Sequence, residues 1–374
     1  MKITVEHAAL AAAVTYASRA LPARPPVPVL AGLRLDANNG RLRVSGYDYE
    51  VSTDTSVAAT VTKKGRALVS GRLLSDIVSR IQGDVHLELK GPRLVLRAGA
   101  ARFTLHTLPF SEYPAFPEPG SPTGTLPGPT LAEAVAQVVC AVSKDDTLPF
   151  LTGIQLHHDQ KAGTLTLAAT DRYRFAVRTI PWKHCDLTAD HTALAPGKAL
   201  LDAVKTAAAD TTVDLTLAGV AGADSLFAVR GEHSTTTLRA LDGALPTFKN
   251  LFPTKFQHTA TVETAALKAA VHRVALVARK DSPVRLTFTH DSTLRLEAGT
   301  SDEAQAIDTV ESPLEGDELT VAFNAIYLLD GLNAFTADTV DFHFVTPTKP
   351  ALLRGRDTDD QALRYLLMPV RLNG

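Results

Sequence analysis

Cysteine is scarce in this chain. The two present, Cys140 and Cys185, lie far apart and in no C-x-x-C pair. That pattern excludes a disulfide framework and a zinc ribbon, and leaves two buried free thiols in a reducing compartment as the expectation. Long apolar runs are missing too. No stretch approaches the ~18 residues of a membrane-spanning helix, and Met1-Lys2-Ile3-Thr4-Val5-Glu6 lacks the apolar centre of a secretory signal. A soluble, cytoplasmic protein is expected. Charge of one sign is also lacking. The formal net charge is -2, so any basic surface that meets nucleic acid has to be local.

Catalytic signatures are equally sparse. There is no G-x-S-x-G and no H-E-x-x-H. Pro196-Gly197-Lys198-Ala199 has the tail of a phosphate loop without its first glycine or its hydroxyl residue. His157 and His158 are adjacent, so on a strand their rings point to opposite faces, and surface histidines are expected. Asp145-Asp146 and Asp357-Thr358-Asp359-Asp360 lack a complete set of cation ligands and read as solvated loops. No catalytic residue, metal site or cofactor is expected.

What the chain does have is internal repetition. It has 374 residues, 45% of them hydrophobic and 21% charged, enough for a large core and too long for one. Three helical stretches carry the same stripe at +4, +3, +4: Leu10, Val14, Ala17 and Leu21; Leu131, Val135, Val138 and Val142; Leu267, Val271, Val274 and Ala278. The first and third follow β-rich runs, Lys2–Val5 and Thr259–Val262. Alternating runs come after each helix and close on Asp48, Asp171 and Asp302.

A second helix recurs in every copy. It starts at Ser70-Gly71-Arg72, Pro196-Gly197-Lys198 and Phe323-Asn324-Ala325, with Ser70 and Asn324 suited to cap it. Proline and glycine punctuate Phe116–Gly124 and Pro246–Pro253. The expectation is three similar α+β domains, 1–120, 121–253 and 254–374, each made of two β-α-β-β-β half-repeats. An arc of three modules can close head to tail with a second arc.

Four segments carry a resemblance. They are Arg24-Pro25-Pro26-Val27-Pro28-Val29-Leu30, Ala169-Thr170-Asp171-Arg172-Tyr173-Arg174-Phe175-Ala176, Phe323-Asn324-Ala325-Ile326-Tyr327-Leu328 and Met368-Pro369-Val370-Arg371-Leu372. In this order, on a threefold repeat, the chain resembles the bacterial beta sliding clamps over its whole length. Three departures stand out. Arg172 and Tyr173 replace a small residue and His of many members. Leu148-Pro149-Phe150 replaces an Arg and an aromatic pair of some. Asn373-Gly374 extends past the usual terminal Leu.

The resemblance implies a head-to-tail homodimeric ring, helices inside and sheets outside, that encircles duplex DNA without altering it. It implies as partners the replicative polymerase's alpha subunit, the clamp loader, and other polymerases and repair proteins, with no membrane. The DNA-binding candidates are Arg19, Arg24, Arg72, Lys144, Pro149, Phe150, Lys198, Arg273, Arg279 and Lys280. Small residues such as Ala8, Ala12, Ala132, Ala136, Ala266 and Ala269 leave the helix surface thin, which suits sliding over phosphates that carry no sequence information. A partner-peptide groove is implied at Leu151, Thr170, Arg172, Tyr173, Arg174, Phe175, Pro246, Leu251, Phe252, Asn324, Tyr327, Pro350, Leu366, Leu367, Met368, Pro369, Val370 and Arg371. The dimer seam is implied at Phe103, Leu276 and Val277. For each Lys or Arg the bland alternative is a solvated helix face, and for Leu366, Leu367 and Met368 a last core strand. Rival functions are a hydrolase or transferase with a carboxylate pair at a domain junction, a scaffold that ignores DNA, and a second clamp copy with altered sensitivity to clamp-binding antibiotics.

Overall fold

The computed structural model describes residues 1–182, 184–219, 225–246, 251–278, 282–299, 304–356, 358 and 362–371. Asp302, Arg279, Lys280, Leu372, Asn373 and Gly374 lie outside the described residues, as do Asp357, Asp359 and Asp360. The described residues form six α-helices. They are α1 (His7–Ala17), α2 (Gly71–Val78), α3 (Gly128–Val138), α4 (Gly197–Ala207), α5 (Thr264–Ala275) and α6 (Ala325–Ala334). None is long and apolar enough to cross a membrane.

The threefold plan is plain in the element order. Strand, helix and three strands recur six times, and each odd half-repeat adds a short strand: Thr60–Lys63, His184–Cys185 and Leu314–Glu315. The second copy also has its leading strand, Gly124–Pro127. The helical stripes end one residue early. Leu10, Val14 and Ala17 are buried, as are Leu131, Val135, Val138, Leu267, Val271 and Val274. Leu21, Val142 and Ala278 lie past the helix ends and are half-buried. Ser70 caps α2 by accepting the Leu73 amide, and Asn324 caps α6 by accepting those of Ile326 and Tyr327.

The chain divides into two compact units: Met1–Pro129 with His184–Asp186 and Asp202–Ala240; and Thr130–Lys183 with Leu187–Leu201 and Leu241–Gly374. The reason lies in strand pairing. In the first unit Ser234–Arg239, from the second copy, pairs antiparallel with Val51–Ala58 of the first, and nine strands run as one sheet. In the second unit Arg174–Pro181, from the second copy, pairs with Arg364–Leu367 of the third, again giving a nine-stranded sheet. Each junction joins a four-stranded half-repeat to a five-stranded one.

Two sheets are left unjoined. The five-stranded sheet of the first copy ends on Ala101–His106, and the four-stranded sheet of the third copy ends on Gln305–Glu311. In the repeat these edges are the counterparts of strands that are paired at the two junctions.

Cores form where alternate strand residues meet the helices. Leu33, Leu35, Leu42 and Val44 pack on Leu10, Val14, Leu74 and Ile77 in the first unit. The turns after the second strands share one geometry. The Asp48 carboxylate accepts the amides of Glu50 and Val51, and Asp171 accepts those of Tyr173 and Arg174. The residue inside each turn, Tyr49 or Arg172, has a positive φ, 79° and 80°. Aspartate recurs because its short side chain can hold such a turn closed.

Two expectations need correction. His158 is not a surface residue. It is 2% exposed and sits edge-on to Trp182, 5.4 Å away, because its strand face points into the core. Cys140 and Cys185 form no disulfide, as expected, but both are only half-buried.

Candidate functional site

The second unit holds an apolar groove of about 450 Å³. Its floor comes from Arg174 and Phe175 at the start of Arg174–Pro181, from Thr170 at the end of the neighbouring strand Thr164–Thr170, and from Leu366 in Arg364–Leu367 with Met368 just past it. Leu148, Phe150 and Leu151 wall it from the 3₁₀ turn Pro149–Thr152 and the residue before it, and Pro246, Leu251 and Pro350 close the rim. Beneath lies a small core of Leu151, Phe175, Leu194, Leu245, Leu352 and Leu366, with Phe252 packed edge-on to Phe175. The groove is thus continuous with a rigid core.

Arg174 fixes the floor. It is 4% exposed, so its charge requires partners. Its Nε donates to Asp171 at 2.9 Å and its Nη1 to Asp330 on α6 at 2.6 Å. The guanidinium lies 4.4 Å from the centre of the Tyr327 ring, and Tyr327 stacks on Tyr173. Helix α6 comes close because Gly331 has no Cβ, which would meet the Tyr365 ring at 2.4 Å. The Tyr365 hydroxyl donates to the Tyr327 carbonyl at 2.8 Å, and burial raises its pKa, so it stays protonated as a donor. Asp330 is a site residue that the sequence did not reveal. Its i,i+3 spacing from Tyr327 is the one local signal for it.

Several expected residues lie elsewhere. Leu367 does not face the groove. It is 0% exposed and points to the opposite side of its strand from Leu366 and Met368, as the pleat requires. Phe150, assigned to DNA, lines the groove, because an aromatic ring beside Leu148 and Leu151 is better buried. Asn324 has its side chain engaged in capping α6. Phe252 lies beside the groove with the Arg364 guanidinium over its ring. Pro369 is half-buried and Arg371 exposed. The amides of Met368 and Val370 donate to Tyr173 and Ala322, which pins the terminal segment to the rim.

The basic candidates among the described residues are all on the surface. Arg24, Arg72, Lys144 and Lys198 are exposed, as is Pro149. Arg19 is engaged by α4, where it donates to the Asp202 carbonyl and the Thr206 hydroxyl. Arg273 is bound to Asp308 at 2.6 Å, and that hydrogen bond holds the Asp308 carboxyl below its usual range. The adjoining helix faces carry small residues. Ala8, Ala12, Ala136 and Ala269 are exposed, Ala132 and Ala266 half-buried.

At the open edges, Phe103 is half-buried on Ala101–His106 and Ile307 is 57% exposed on Gln305–Glu311. Just past α5, Leu276 is 85% exposed and Val277 half-buried.

Comparison with known proteins matches three family models in order: the DNA polymerase III beta subunit N-terminal domain over residues 1–117, its central domain over 125–247 and its C-terminal domain over 249–371. The chain is similar to the beta sliding clamp of Streptomyces coelicolor, 48% identical with 100% of both chains covered. It is 36% identical, also over 100% of both chains, to the beta sliding clamp homolog GriR of Streptomyces muensis. Among solved structures it resembles the Pseudomonas aeruginosa DnaN sliding clamp bound to griselimycin, with a TM-score of 0.90, 25% identity and 100% of both chains covered.

Proposed function

The chain belongs to the DNA polymerase III beta subunit family, the beta sliding clamps, and from that premise we propose that two copies close head to tail around duplex DNA. The observation that carries the reading is the pair of unjoined edges. Within one chain the four-stranded and five-stranded half-repeats are paired at two junctions, and one of each is left over. A second copy supplies the missing partners, so that Gln305–Glu311 of one chain continues into Ala101–His106 of the next. Leu276, Val277 and Phe103 then lose their exposure at two identical seams.

The three modules, 1–120, 121–253 and 254–374, form half of the ring, with the helices inward. Exposed alanines and Arg24, Arg72, Lys144 and Lys198 supply a thin, basic lining, and Arg19 and Arg273 add charge already engaged by neighbours. The protein performs no chemistry. It tethers the polymerase's alpha subunit, the clamp loader and other polymerases or repair proteins by a short peptide whose leucine and phenylalanine side chains fill the apolar groove.

The test is topological. Protein loaded on nicked circular DNA should be retained in gel filtration and released when the circle is linearised. Equal retention on both forms would indicate simple sticking and overturn the ring. Elution of the free protein as a single chain at micromolar concentration would do the same.

The GriR relative motivates the second reading, a clamp copy with altered sensitivity to groove-directed antibiotics. The higher identity to the Streptomyces coelicolor clamp favours the first.

A further inference from the structure

The groove is lined mainly by carbon, and its polar lining side chains are Thr170, Arg172 and Arg174. Two of these are already engaged. The Thr170 hydroxyl donates to the Arg174 carbonyl at 2.7 Å and accepts the Arg172 amide at 3.1 Å. The Arg174 guanidinium is held by Asp171 and Asp330.

Arg172 differs. It is exposed at the groove, and among the described residues its guanidinium makes no hydrogen bond or ion pair. The point from which it leaves the backbone is fixed. Three hydrogen bonds hold the turn closed around it, with φ at 80°. A neighbouring carboxylate is that of Asp145, kept below the usual range first by the Thr147 amide and hydroxyl and then by the Arg172 charge.

A guanidinium carries five donors in a planar fork and stays charged at every accessible pH. When an apolar peptide fills the cleft, water leaves the groove side of that fork, and a facing carboxylate gains more than it would on an open surface. The geometry points to Arg172 as the residue that selects the partner peptide: an acidic side chain placed beside the leucine and phenylalanine anchors pairs with its guanidinium. This rests on the groove being the peptide site, and it adds the chemical class of the peptide that fits.

Synthetic peptides with blocked ends, identical Leu and Phe anchors and one Asp moved through each remaining position can be compared with their Asn counterparts. Fluorescence anisotropy with the full-length protein, at about 50 mM and about 300 mM salt, gives the affinities. One Asp position should bind about threefold to tenfold more tightly than its Asn twin, less so at high salt. Arg172→Gly should erase that ratio. Glycine suits a φ of 80°, so the variant should melt no lower than the parent. A ratio that persists in the variant, or equal affinities at every position, would overturn the inference and leave the groove reading intact. A preference for a free over a blocked C-terminus, without an Asp effect, would assign Arg172 to the chain end and overturn the side-chain assignment. Failure of every peptide to bind would remove the groove reading and this inference with it.

Discussion

The Arg174 guanidinium lies 2.6 Å from the Asp330 carboxylate, and this ion pair ties the strand Arg174–Pro181 to helix α6 beneath the groove. Asp171 shares the same cation, so one side chain joins a turn, a strand and a helix.

Replacing Arg174 by Met should therefore cost about 2–4 kcal/mol, since it strands the largely buried Asp171. Asp330→Asn should cost less, because Asp330 is 35% exposed and water screens it. Chemical denaturation of both variants checks the order. Equal losses would mean that stranding Asp171 adds nothing to the cost.

Two neighbouring residues should separate binding from stability. Leu367→Ala removes a fully buried side chain and should cost about 2–5 kcal/mol with modest effect on peptide affinity. Met368→Ala, at a residue 43% exposed, should leave the melting temperature unchanged and weaken peptide binding several-fold. Deleting residues 368–374 should abolish peptide binding and keep the dimer. Anisotropy and thermal melts on the same preparations read all three.

On DNA, charge should act additively and without sequence preference. Alanine at Arg24, Arg72, Lys144 and Lys198 should flatten the dependence of log affinity on log salt by about 0.9 for each phosphate no longer neutralised. Arg273→Ala should change the slope less, because Asp308 already engages that charge. A slope unmoved by the fourfold variant would take these residues off the DNA.

At the seam, Leu276→Glu places a carboxylate where an 85% exposed leucine stands. The expected result is elution at half the parent's mass with an unchanged circular dichroism spectrum. A dimer that survives the substitution would move the seam elsewhere.

Acid should loosen the third module through His343. Burial lowers its pKa below the ordinary 6.5, and its ring lies 4.8 Å from that of Phe256. Around it Asp341 and Glu315 favour the charged form and Arg354 opposes it. The folded state thus binds this proton more weakly than the unfolded chain. Its stability contribution is complete above pH 6.5 and declines as the pH falls through and below that value. His343→Phe keeps the ring packing and should lose less melting temperature than the parent between about pH 7.5 and about 5. Parallel curves would place the acid sensitivity on other groups.

Much of the architecture was legible because its signals are periodic. The stripes through Leu10, Leu131 and Leu267, the caps at Ser70 and Asn324, and the aspartates that close the turns all follow from local rules. The groove was harder to read. A two-residue period says that Leu366 and Leu367 face opposite ways but not which one faces the groove, and only pairing with Arg174–Pro181 decides it. Phe150 and Asp330 adjoin expected groove residues, Leu151 and Tyr327, but only the pairing of segments far apart in sequence brings them to one site. The division into two units was equally invisible, since it depends on distant strands such as Val51–Ala58 and Ser234–Arg239 joining edge to edge.

The same open edges make a solitary copy a hazard to itself. Strand ends with free amides and carbonyls invite any extended chain to add on, and the exposed Ile307 and Leu276 would hold it there. Dilution, or a surplus of unassembled copies, should therefore promote clumping, whereas a completed closure covers both of these edges.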